Sequence, residues 1–540
     1  MITNPAAIPC INPATGRQFA EAPITSPTAV QQAHRDMRLA LPAWSQQPVT
    51  ERVRILRQFQ GLLLDSLDEI TAVINRDCGK SRQDALLELF VTLDLLQQYC
   101  RYAPRWLARQ RVSRGLAFFK RGYVEYRPRG VVAVISPWNY PFALAVGPVI
   151  SALLAGNTVL LKPSEESAAT GLLIEQLFAR VPELAPFVRV LPGDGSTGAA
   201  LVEAGPDYIF LTGSGPTAKK VLRAAAENLT PVACELGGKD AMIVLEDADL
   251  DQAARWGLWG ATFNAGQTCM GVERVYVVEP VYDRFVARVV AEAELLKPGY
   301  SDRPDSPHHF GPITTARQVE IIECHLAEAV AQGAQIVYGG RRQGMFFEPT
   351  VVVDVDHRMR LMREETFGPI LPVMKVKDEA EAIRLANDSD YGLGGSVWSG
   401  NVARAERVAH RLQAGSVLVN DSLVQYGVPL LPFGGVKKSG SGRTHGQEGL
   451  LAFTQSHAYL VGRPPLPFDL ATLVRRPGHY RLAAALLHLV FGVTPRQKVQ
   501  PVVKAIRSGS KRTPVRRIAL TGLVAGVAAL AFGLFWHRRR

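Results

Sequence analysis

Residues 263–274, FNAGQTCMGVER, contain a cysteine in a setting that suits a reactive thiol better than a packed one. Cys269 is one of six cysteines in the 540-residue chain, and no two of them have the CxxC spacing of a zinc or redox site. A free cysteine is most often a small buried hydrophobe. Here, however, turn-forming and cap-forming residues precede the cysteine, and an apolar strand follows it. We therefore predict a presented thiol, with no metal site and no disulfide scaffold.

Two further polar residues lie beside apolar runs. Glu235, in VACELGGKDAMIV, stands between two such runs and before two glycines. An apolar setting raises the pKa of a carboxylate towards that of a useful base, and loop glycines permit close approach of backbone to a ligand. Asn139, in ISPWNYPF, could supply a neutral amide donor. The alternatives are a solvated loop carboxylate for Glu235 and an ordinary turn residue for Asn139.

Candidate cofactor residues follow other strands. Lys162 and Glu165, in LLKPSEES, lie just beyond a buried strand, where ligands of open α/β sheets bind. A carboxylate in this position can accept both hydroxyls of an adenosine ribose. The run GDGSTG at 193–198 matches the dinucleotide pattern G-x-G-x-x-G, but no acidic residue ends a following strand about 20 positions later. Two ordinary strand-to-helix turns remain the alternative there.

The elements that must position these residues alternate along the chain. Residues 51–75 and 84–102 have apolar side chains three and four positions apart, which is typical of amphipathic helices. Short strand-like runs then alternate with turns and helical stretches, first before residue 245 and again after Cys269. This alternation predicts the α/β class with two parallel-sheet domains.

Seven short motifs follow one another along the body of the chain. They are SPWNYPF (136–142), KPSEES (162–167), LTGS (211–214), ELGGKD (235–240), FNAGQTCMGVER (263–274), EETFGP (364–369) and PFGGVKKSGSGR (432–443). In this order and spacing they resemble the NAD(P)-dependent aldehyde dehydrogenases, over about residues 8–460. The resemblance implies an aldehyde dehydrogenase-like fold with a small β oligomerisation arm.

The resemblance also implies a mechanism. Cys269 is the expected nucleophile that attacks the aldehyde carbonyl, and Asn139 with the backbone N–H of Cys269 is the expected oxyanion site. After hydride transfer, Glu235 is expected to activate the water that hydrolyses the thioester. Relatives that transfer the acyl group to CoA lack this base, so Glu235 favours hydrolysis to the acid.

For the cofactor, the resemblance implies NAD, with NADP less favoured because the carboxylate of Glu165 would repel a 2′-phosphate. Ala218 replaces a glycine usual in the family, which would affect the geometry at the pyrophosphate. The expected cofactor-binding residues are Ser136, Trp138, Lys162, Ser164, Glu165, Gly195, Gly213, Ser214, Gln318, Glu365 and Phe367.

The same resemblance suggests domain boundaries. Residues 1–116 and 137–234 are expected to form the NAD-binding domain, to which 432–452 return, and residues 235–431 the catalytic domain. Residues 117–136 and 453–466 are expected to form the oligomerisation arm, through which the chain would assemble with copies of itself.

The C-terminal segment has a different composition. From residue 475 onward there are 14 Lys and Arg and no Asp or Glu, which leaves 47 basic and 49 acidic residues in the rest. The excess charge therefore belongs to the tail, and the sequence does not favour nucleic acid as a partner. We interpret 467–517 as a basic, membrane-proximal tail. Residues 518–536 are uncharged and as a helix would extend about 28 Å, close to the roughly 30 Å of a bilayer core.

We accordingly predict a single-pass tail anchor, similar to that of fatty aldehyde dehydrogenases. No signal-like segment is seen at the N-terminus, and basic residues precede the span, so the body is expected on the cytoplasmic side. Membrane attachment favours a long-chain or lipid-derived aldehyde as substrate. The alternatives are a semialdehyde or short-chain aldehyde dehydrogenase that is merely anchored, and an inactive membrane-tethered NAD-binding scaffold.

Overall fold

The computed structural model describes residues 7–113, 120–462 and 480–508. The described chain divides into two compact units: residues 7–110 with 124–458, and residues 111–113 and 120–123 with 459–462 and 480–508. All candidate site residues belong to the first unit.

The elements of both units are numbered here in chain order. The helices are α1 (Pro27–Ser45), α2 (Val49–Asp65), α3 (Leu67–Cys78), α4 (Arg82–Trp106), α5 (Ala143–Leu154), α6 (Ala168–Ala179), α7 (Gly195–Glu203), α8 (Gly215–Ala226), α9 (Leu250–Thr262), α10 (Tyr282–Leu295), α11 (Ala316–Ala331), α12 (Arg360–Arg363), α13 (Glu379–Asn387), α14 (Val402–Ala409), α15 (Gly446–Leu451), α16 (Tyr480–Phe491) and α17 (Pro495–Ser508). The strands are β1 (Ala7–Ile11), β2 (Gln18–Pro23), β3 (Gln110–Val112), β4 (Lys120–Pro128), β5 (Val131–Ile135), β6 (Thr158–Lys162), β7 (Val188–Val190), β8 (Tyr208–Thr212), β9 (Val232–Glu235), β10 (Asp240–Val244), β11 (Val272–Val278), β12 (Gln335–Tyr338), β13 (Arg342–Gln343), β14 (Phe346–Phe347), β15 (Thr350–Val353), β16 (Ile370–Val376), β17 (Gly394–Trp398), β18 (Ser416–Val419), β19 (Gly440–Ser441) and β20 (Thr454–Gly462).

A six-stranded sheet has the order β19-β9-β8-β5-β6-β7. Its strands are parallel except for β19, which pairs antiparallel with β9. The chain starts in the middle at β5, adds β6 and β7 on one side, and then adds β8 and β9 on the other. The strand order therefore reverses between β5 and β8, and ligands of such sheets bind beyond the carboxyl ends of the strands at this point.

Both faces of this sheet are covered, which explains its continuous apolar strands. Val132 and Val134 of β5 pack into a core with residues of α2, α4, α5 and α6. Val131 and Ala133 pack on the opposite face with residues of α1, α7 and α8. Residues 131–135 lie within the range 117–136 that the sequence suggested for the arm. In the structure they form β5 of this sheet, because side chains on both faces of the strand are buried.

A seven-stranded sheet has the order β12-β15-β16-β11-β10-β17-β18 and its own apolar core. Its strands are parallel except for β12, which lies antiparallel at the edge. Strand β9 ends at Glu235 and β10 starts at Asp240, so four residues link the two sheets. The carboxyl edge of the first sheet thus meets the amino edge of the second. The described chain therefore has the predicted aldehyde dehydrogenase-like α/β architecture with two largely parallel sheets.

Smaller sheets complete the described strands. Strands β1 and β2 form a hairpin, β13 and β14 pair with each other, and β20, β4 and β3 form a three-stranded sheet. The last of these comes from segments assigned to the oligomerisation arm. Self-association stays a prediction, because the structure describes a single chain.

In the second unit, α16 and α17 pack against each other. Among residues 7–113, 120–462 and 480–508, no helix is both long enough and apolar enough to cross a membrane. The predicted span, 518–536, lies outside the described residues, and of the predicted basic tail only 480–508 are described.

Candidate active site

A cavity of about 1660 Å³ lies where the two sheet edges meet. Every residue that the sequence suggested for catalysis or cofactor binding lines it. These residues are Cys269, Glu235, Asn139, Ser136, Trp138, Lys162, Ser164, Glu165, Gly195, Gly213, Ser214, Gln318, Glu365 and Phe367. The topology brings them together because most of them lie at or beyond the carboxyl ends of β5 to β9, Cys269 precedes β11, Glu365 and Phe367 precede β16, and Gln318 lies on α11.

Cys269 lies on the loop before β11 and is half-buried. The preceding turn is tight: Asn264, Ala265 and Gly266 all have left-handed backbone angles, with φ of 53°, 57° and 75°. A Cβ atom at position 266 would overlap the backbone of Gly368, so only glycine fits. Burial raises the pKa of the Cys269 thiol, and the nearby carboxyl groups of Glu365, Asp240 and Glu235 raise it further. At neutral pH the sulfur therefore carries its proton and needs an acceptor before it can attack.

Glu235, the last residue of β9, is 6% exposed. Neither carboxyl oxygen has a hydrogen-bond partner in the part of the chain that the structure describes. Burial raises the pKa of this group well above its ordinary value, and the charge of Arg443 opposes the shift only in part. A buried carboxyl with two free oxygens is suited to taking a proton from a thiol or a water in the same cavity.

Asn139 joins the loop after β5 to the cysteine loop. Its side-chain Nδ2 donates to the carbonyl of Gln267 at 3.0 Å, and its own carbonyl accepts from Nδ2 of Asn264 at 3.0 Å. The hydroxyls of Tyr140 and Thr268 lie 2.6 Å apart. The Asn139 amide has a second N–H. Asn139 and Cys269 line the same cavity, so the oxyanion role of this amide stays a prediction.

Two helix N-termini open into the cavity. Asp194 caps α7 and Ser214 caps α8, whose first residues are Gly195 and Gly215. A Cβ atom built at either glycine meets no heavy atom within 4 Å. Open backbone N–H groups at helix N-termini bind phosphate, so these residues fit a pyrophosphate. Ala218 lies on α8, and its methyl group packs in the core on that side of the sheet, so the fold accommodates it.

Polar groups for a nucleoside lie beside these N-termini. Nζ of Lys162 is 2.8 Å from Oε2 of Glu165, at the carboxyl end of β6. Ser164 caps the turn that carries Glu165, and the buried hydroxyl of Ser136 has no hydrogen-bond partner among the described residues. A carboxylate and free hydroxyls beside two helix N-termini match the groups of a dinucleotide.

A buried ion pair fixes the loop that carries Glu365 and Phe367. Nζ of Lys239 donates to Oε2 of Glu273 at 2.6 Å. The carboxylate of Glu273 accepts the backbone N–H of Thr366 at 2.8 Å and of Phe367 at 2.9 Å. Nε2 of Gln318 donates to the carbonyl of Thr366 at 2.7 Å. Gln318 therefore helps to hold this loop.

The loop that carries Glu365 and Phe367 also contacts the link between β9 and β10 and the loop after β5. Oε1 of Glu365 accepts from the N–H of Gly238 at 3.1 Å, and a side chain at Gly237 would overlap the same carboxylate. Burial raises the pKa of Glu365. The ring of Phe367 meets Trp138 edge to face at 5.6 Å. Residues after β5, after β9 and before β16 thus form one continuous wall.

Sequence reasoning missed the charged residues that hold these loops. Lys239 and Glu273 belong to the motifs ELGGKD and FNAGQTCMGVER. They are 34 positions apart, so no short stretch of sequence indicates that they form an ion pair. A second buried pair, Lys80 with Glu88, holds the Asn139 loop. Here a signal existed, because Glu88 falls on the apolar face of α4 between Ala85 and Thr92, where a charge requires a partner.

One side of the cavity is apolar. Leu87 and Phe90 of α4 line it together with Val424 and Val428, and Phe90 is 61% exposed. Aromatic residues continue this surface inward, including Trp259, Phe263, Tyr426 and Phe433. Exposed apolar groups at a cavity opening mark a site for an apolar ligand.

The thiol of Cys269, the buried carboxyl of Glu235 and the amide of Asn139 share a cavity with residues that fit a dinucleotide. Together they indicate the class of protein, and comparison with known proteins agrees. Residues 2–459 match the aldehyde dehydrogenase family, and the chain belongs to it. A 4,4'-diapolycopene aldehyde oxidase from Methylomonas sp is 46% identical over 463 residues, which are 85% of this chain and 87% of that protein. The protein is thus an NAD(P)-dependent oxidoreductase that oxidises aldehydes.

Other relatives carry different names. A putative succinate-semialdehyde dehydrogenase [NADP(+)] from Mycolicibacterium smegmatis is 36% identical, covering 84% of this chain and 89% of that protein. The crystal structure of Mycobacterium tuberculosis aldehyde dehydrogenase complexed with NAD+ has a TM-score of 0.81 and 32% identity, covering 87% of this chain and 96% of that one.

Proposed function

We propose that the protein oxidises a long-chain, lipophilic aldehyde to its carboxylic acid with NAD, and that water completes the turnover. The observation that carries this proposal is the buried carboxyl of Glu235, which has no hydrogen-bond partner among the described residues and lines one cavity with Cys269 and the two helix N-termini.

The residues of this chain have separate parts in the reaction. The sulfur of Cys269 bonds to the aldehyde carbon, its proton passes to Glu235, and the amide of Asn139 stabilises the oxyanion of the thiohemiacetal. NAD, when bound, accepts the hydride. The carbonyl then re-forms as a thioester, and Glu235 releases the thiol proton to solvent. Glu235 next takes a proton from water as the water oxygen bonds to the acyl carbon. The bond to sulfur breaks, and Glu235 returns this proton to the Cys269 thiolate as the acid leaves.

The position of Glu235 supports hydrolysis over transfer to a thiol cofactor. A base that activates water must reach the cavity without being neutralised by a cation. No salt bridge to Glu235 occurs among the described residues, and its oxygens remain free. Release as the carboxylic acid follows.

Glu165 supports NAD over NADP. Its carboxylate forms an ion pair with Lys162 beside the predicted adenosine site. A 2′-phosphate would bring negative charge next to this carboxylate. Relatives are named for either cofactor, so the preference depends on this residue.

The apolar side of the cavity supports a lipophilic substrate. It reaches the surface through Leu87, Phe90, Val424 and Val428, and a relative is named for 4,4'-diapolycopene aldehyde. Each buried CH₂ contributes about 0.8 kcal/mol to binding in such a channel. A short semialdehyde is the second candidate, since mycobacterial relatives are named for succinate semialdehyde.

We also propose that residues 518–536 anchor the protein to a membrane, with the catalytic body on the cytoplasmic side. Two observations on the preceding segment support this. It contains no acidic residue after Asp469, and α16 and α17 expose Leu487, Phe491 and Val499 close to Lys498 in the chain. Basic helices with exposed apolar groups favour the surface of an anionic bilayer.

The first prediction concerns chain length. For the full-length protein in detergent, kcat/KM should rise from C2 to C18 aldehydes by about threefold to fourfold per methylene until the channel is filled. NADH formation at 340 nm measures this, with Cys269→Ser as the inactive control. A maximum at C2 to C4, or at succinate semialdehyde, would contradict the lipophilic substrate, and no turnover of any aldehyde would identify an inactive scaffold.

The second prediction concerns the anchor. The full chain should stay with membranes after carbonate extraction, whereas a chain ending after Ser508 should leave them while keeping its kcat for a soluble aldehyde. Release of the full chain by carbonate would show that 518–536 do not span the bilayer.

The third prediction concerns pH and Glu235. Because the pKa of Glu235 is raised, its base form and the steady-state kcat should increase with pH and then level off above the pKa in the folded protein. Glu235→Gln should lower kcat by about 10² to 10⁴-fold and abolish this dependence. Because Glu235 also accepts the Cys269 proton, the first equivalent of NADH per site should form more slowly than in the wild type. Glu227→Gln, at an exposed carboxylate, is the control, and full turnover by Glu235→Gln would eliminate the proposed base.

The fourth prediction concerns cofactor choice. Glu165→Gln removes a negative charge at the ribose and should raise the ratio of kcat/KM with NADP to that with NAD by about tenfold, which corresponds to about 1.4 kcal/mol. Glu166→Gln, one position along, provides a matched control. A wild-type preference for NADP would contradict the assignment.

A further inference from the structure

Lys80 is a buried cation next to the oxyanion residue. It is 2% exposed, and its Nζ donates to Oε1 of Glu88 and to the main-chain carbonyl of Asn139, each at 2.6 Å. The same ammonium lies 4.3 Å from the ring centre of Tyr140. A buried ammonium is costly unless its donors are satisfied, so these partners are what hold the side chain in place.

Glu88 completes the clamp from the other side. Its Oε2 accepts the backbone N–H of Phe142 at 3.0 Å and of Ala143 at 3.1 Å, at the start of α5. A carboxylate at a helix N-terminus satisfies N–H groups that lack partners within the helix. Lys80 and Glu88 together therefore fix both ends of residues 139–143.

The segment before Lys80 is itself fixed against the cysteine loop. Sγ of Cys78 donates to the carbonyl of Trp138 at 3.3 Å, and a side chain at Gly79 would overlap Pro312. Nε2 of Gln267 donates to the carbonyl of Pro312 at 3.3 Å. Gln267 is also the residue whose carbonyl accepts the amide of Asn139. The loops that carry Lys80, Asn139 and Cys269 are thus each in contact with the other two.

We propose that Lys80 and Glu88 are a positioning pair for the oxyanion site: they hold the 138–143 backbone so that the free amide N–H of Asn139 faces the oxygen of the substrate carbon that is bonded to Cys269. Neither residue touches the reacting atoms. The proposal rests on the oxyanion role of Asn139 within the proposed function. Without the ammonium, the Asn139 main-chain carbonyl keeps only Nδ2 of Asn264 as a donor, at 3.0 Å. The peptide is then held less firmly, which shifts the side-chain amide.

A double-mutant cycle tests this pairing, with Lys80→Met, Asn139→Ala and the double variant. Lys80→Met should lower kcat/KM by about 10 to 10²-fold through misplacement, and Asn139→Ala by about 10² to 10³-fold. In the Asn139→Ala background, the Lys80 change should cost less than about threefold, because the group it positions is gone. The KM for NAD should stay unchanged, and a primary isotope effect with 1-deuterated aldehyde should appear in Lys80→Met.

Lys239→Met is the matched control. It removes the other buried Lys–Glu pair of the same cavity, which holds residues 365–367 instead. The fold-change that Lys239→Met causes in kcat/KM should multiply with that of Asn139→Ala. Lys239→Met should also raise the KM for NAD. Should Lys80→Met fail to fold, Lys80→Met/Glu88→Met replaces it in the cycle, since removing both charges avoids an unpaired buried ion.

The outcomes separate the two assignments. Multiplicative effects of Lys80→Met and Asn139→Ala, or full activity of Lys80→Met, would overturn the positioning role. Nearly wild-type activity of Asn139→Ala would instead overturn the oxyanion role on which it rests.

Discussion

The candidate site is built on charged and ionisable side chains that are buried at the junction of two sheets. The carboxyl edge of one sheet and the amino edge of the other are joined by only four residues, so their loops must share a single space. Within that space Glu235 is left without a partner, while Lys80 and Lys239 are each paired with a glutamate. The paired charges fix the loops, and the unpaired carboxyl remains free to react.

The candidate site was largely predictable because parallel strands gather their carboxyl ends. Asn139, Lys162 and Glu235 each follow or end an apolar run in the sequence, and the structure places those runs at β5, β6 and β9. An apolar run followed by a polar residue is a local pattern. Sheet geometry then brings such residues together without further information. The cysteine loop was recognisable by its turn-forming residues.

The remaining features depend on contacts between distant parts of the chain. The arm boundary suggested by the family resemblance included residues 131–135, although this continuously apolar run forms β5 of the six-stranded sheet, with helices covering both faces. Strand β12 is a short apolar run like the parallel strands of its sheet, yet it pairs antiparallel with β15 at the edge. The pairing of Lys80 with Asn139 joins residues 59 positions apart. Strand direction and buried pairing are set by the assembled fold.

The raised pKa of Cys269 has a consequence for survival between turnovers. Peroxide and other electrophiles react with thiolate, and a thiol that keeps its proton in the resting protein is a poor target for them. Cys324, exposed on α11, is more accessible to such reagents than the half-buried Cys269. Burial of the predicted nucleophile thus favours the form of the sulfur that reacts slowly with oxidants.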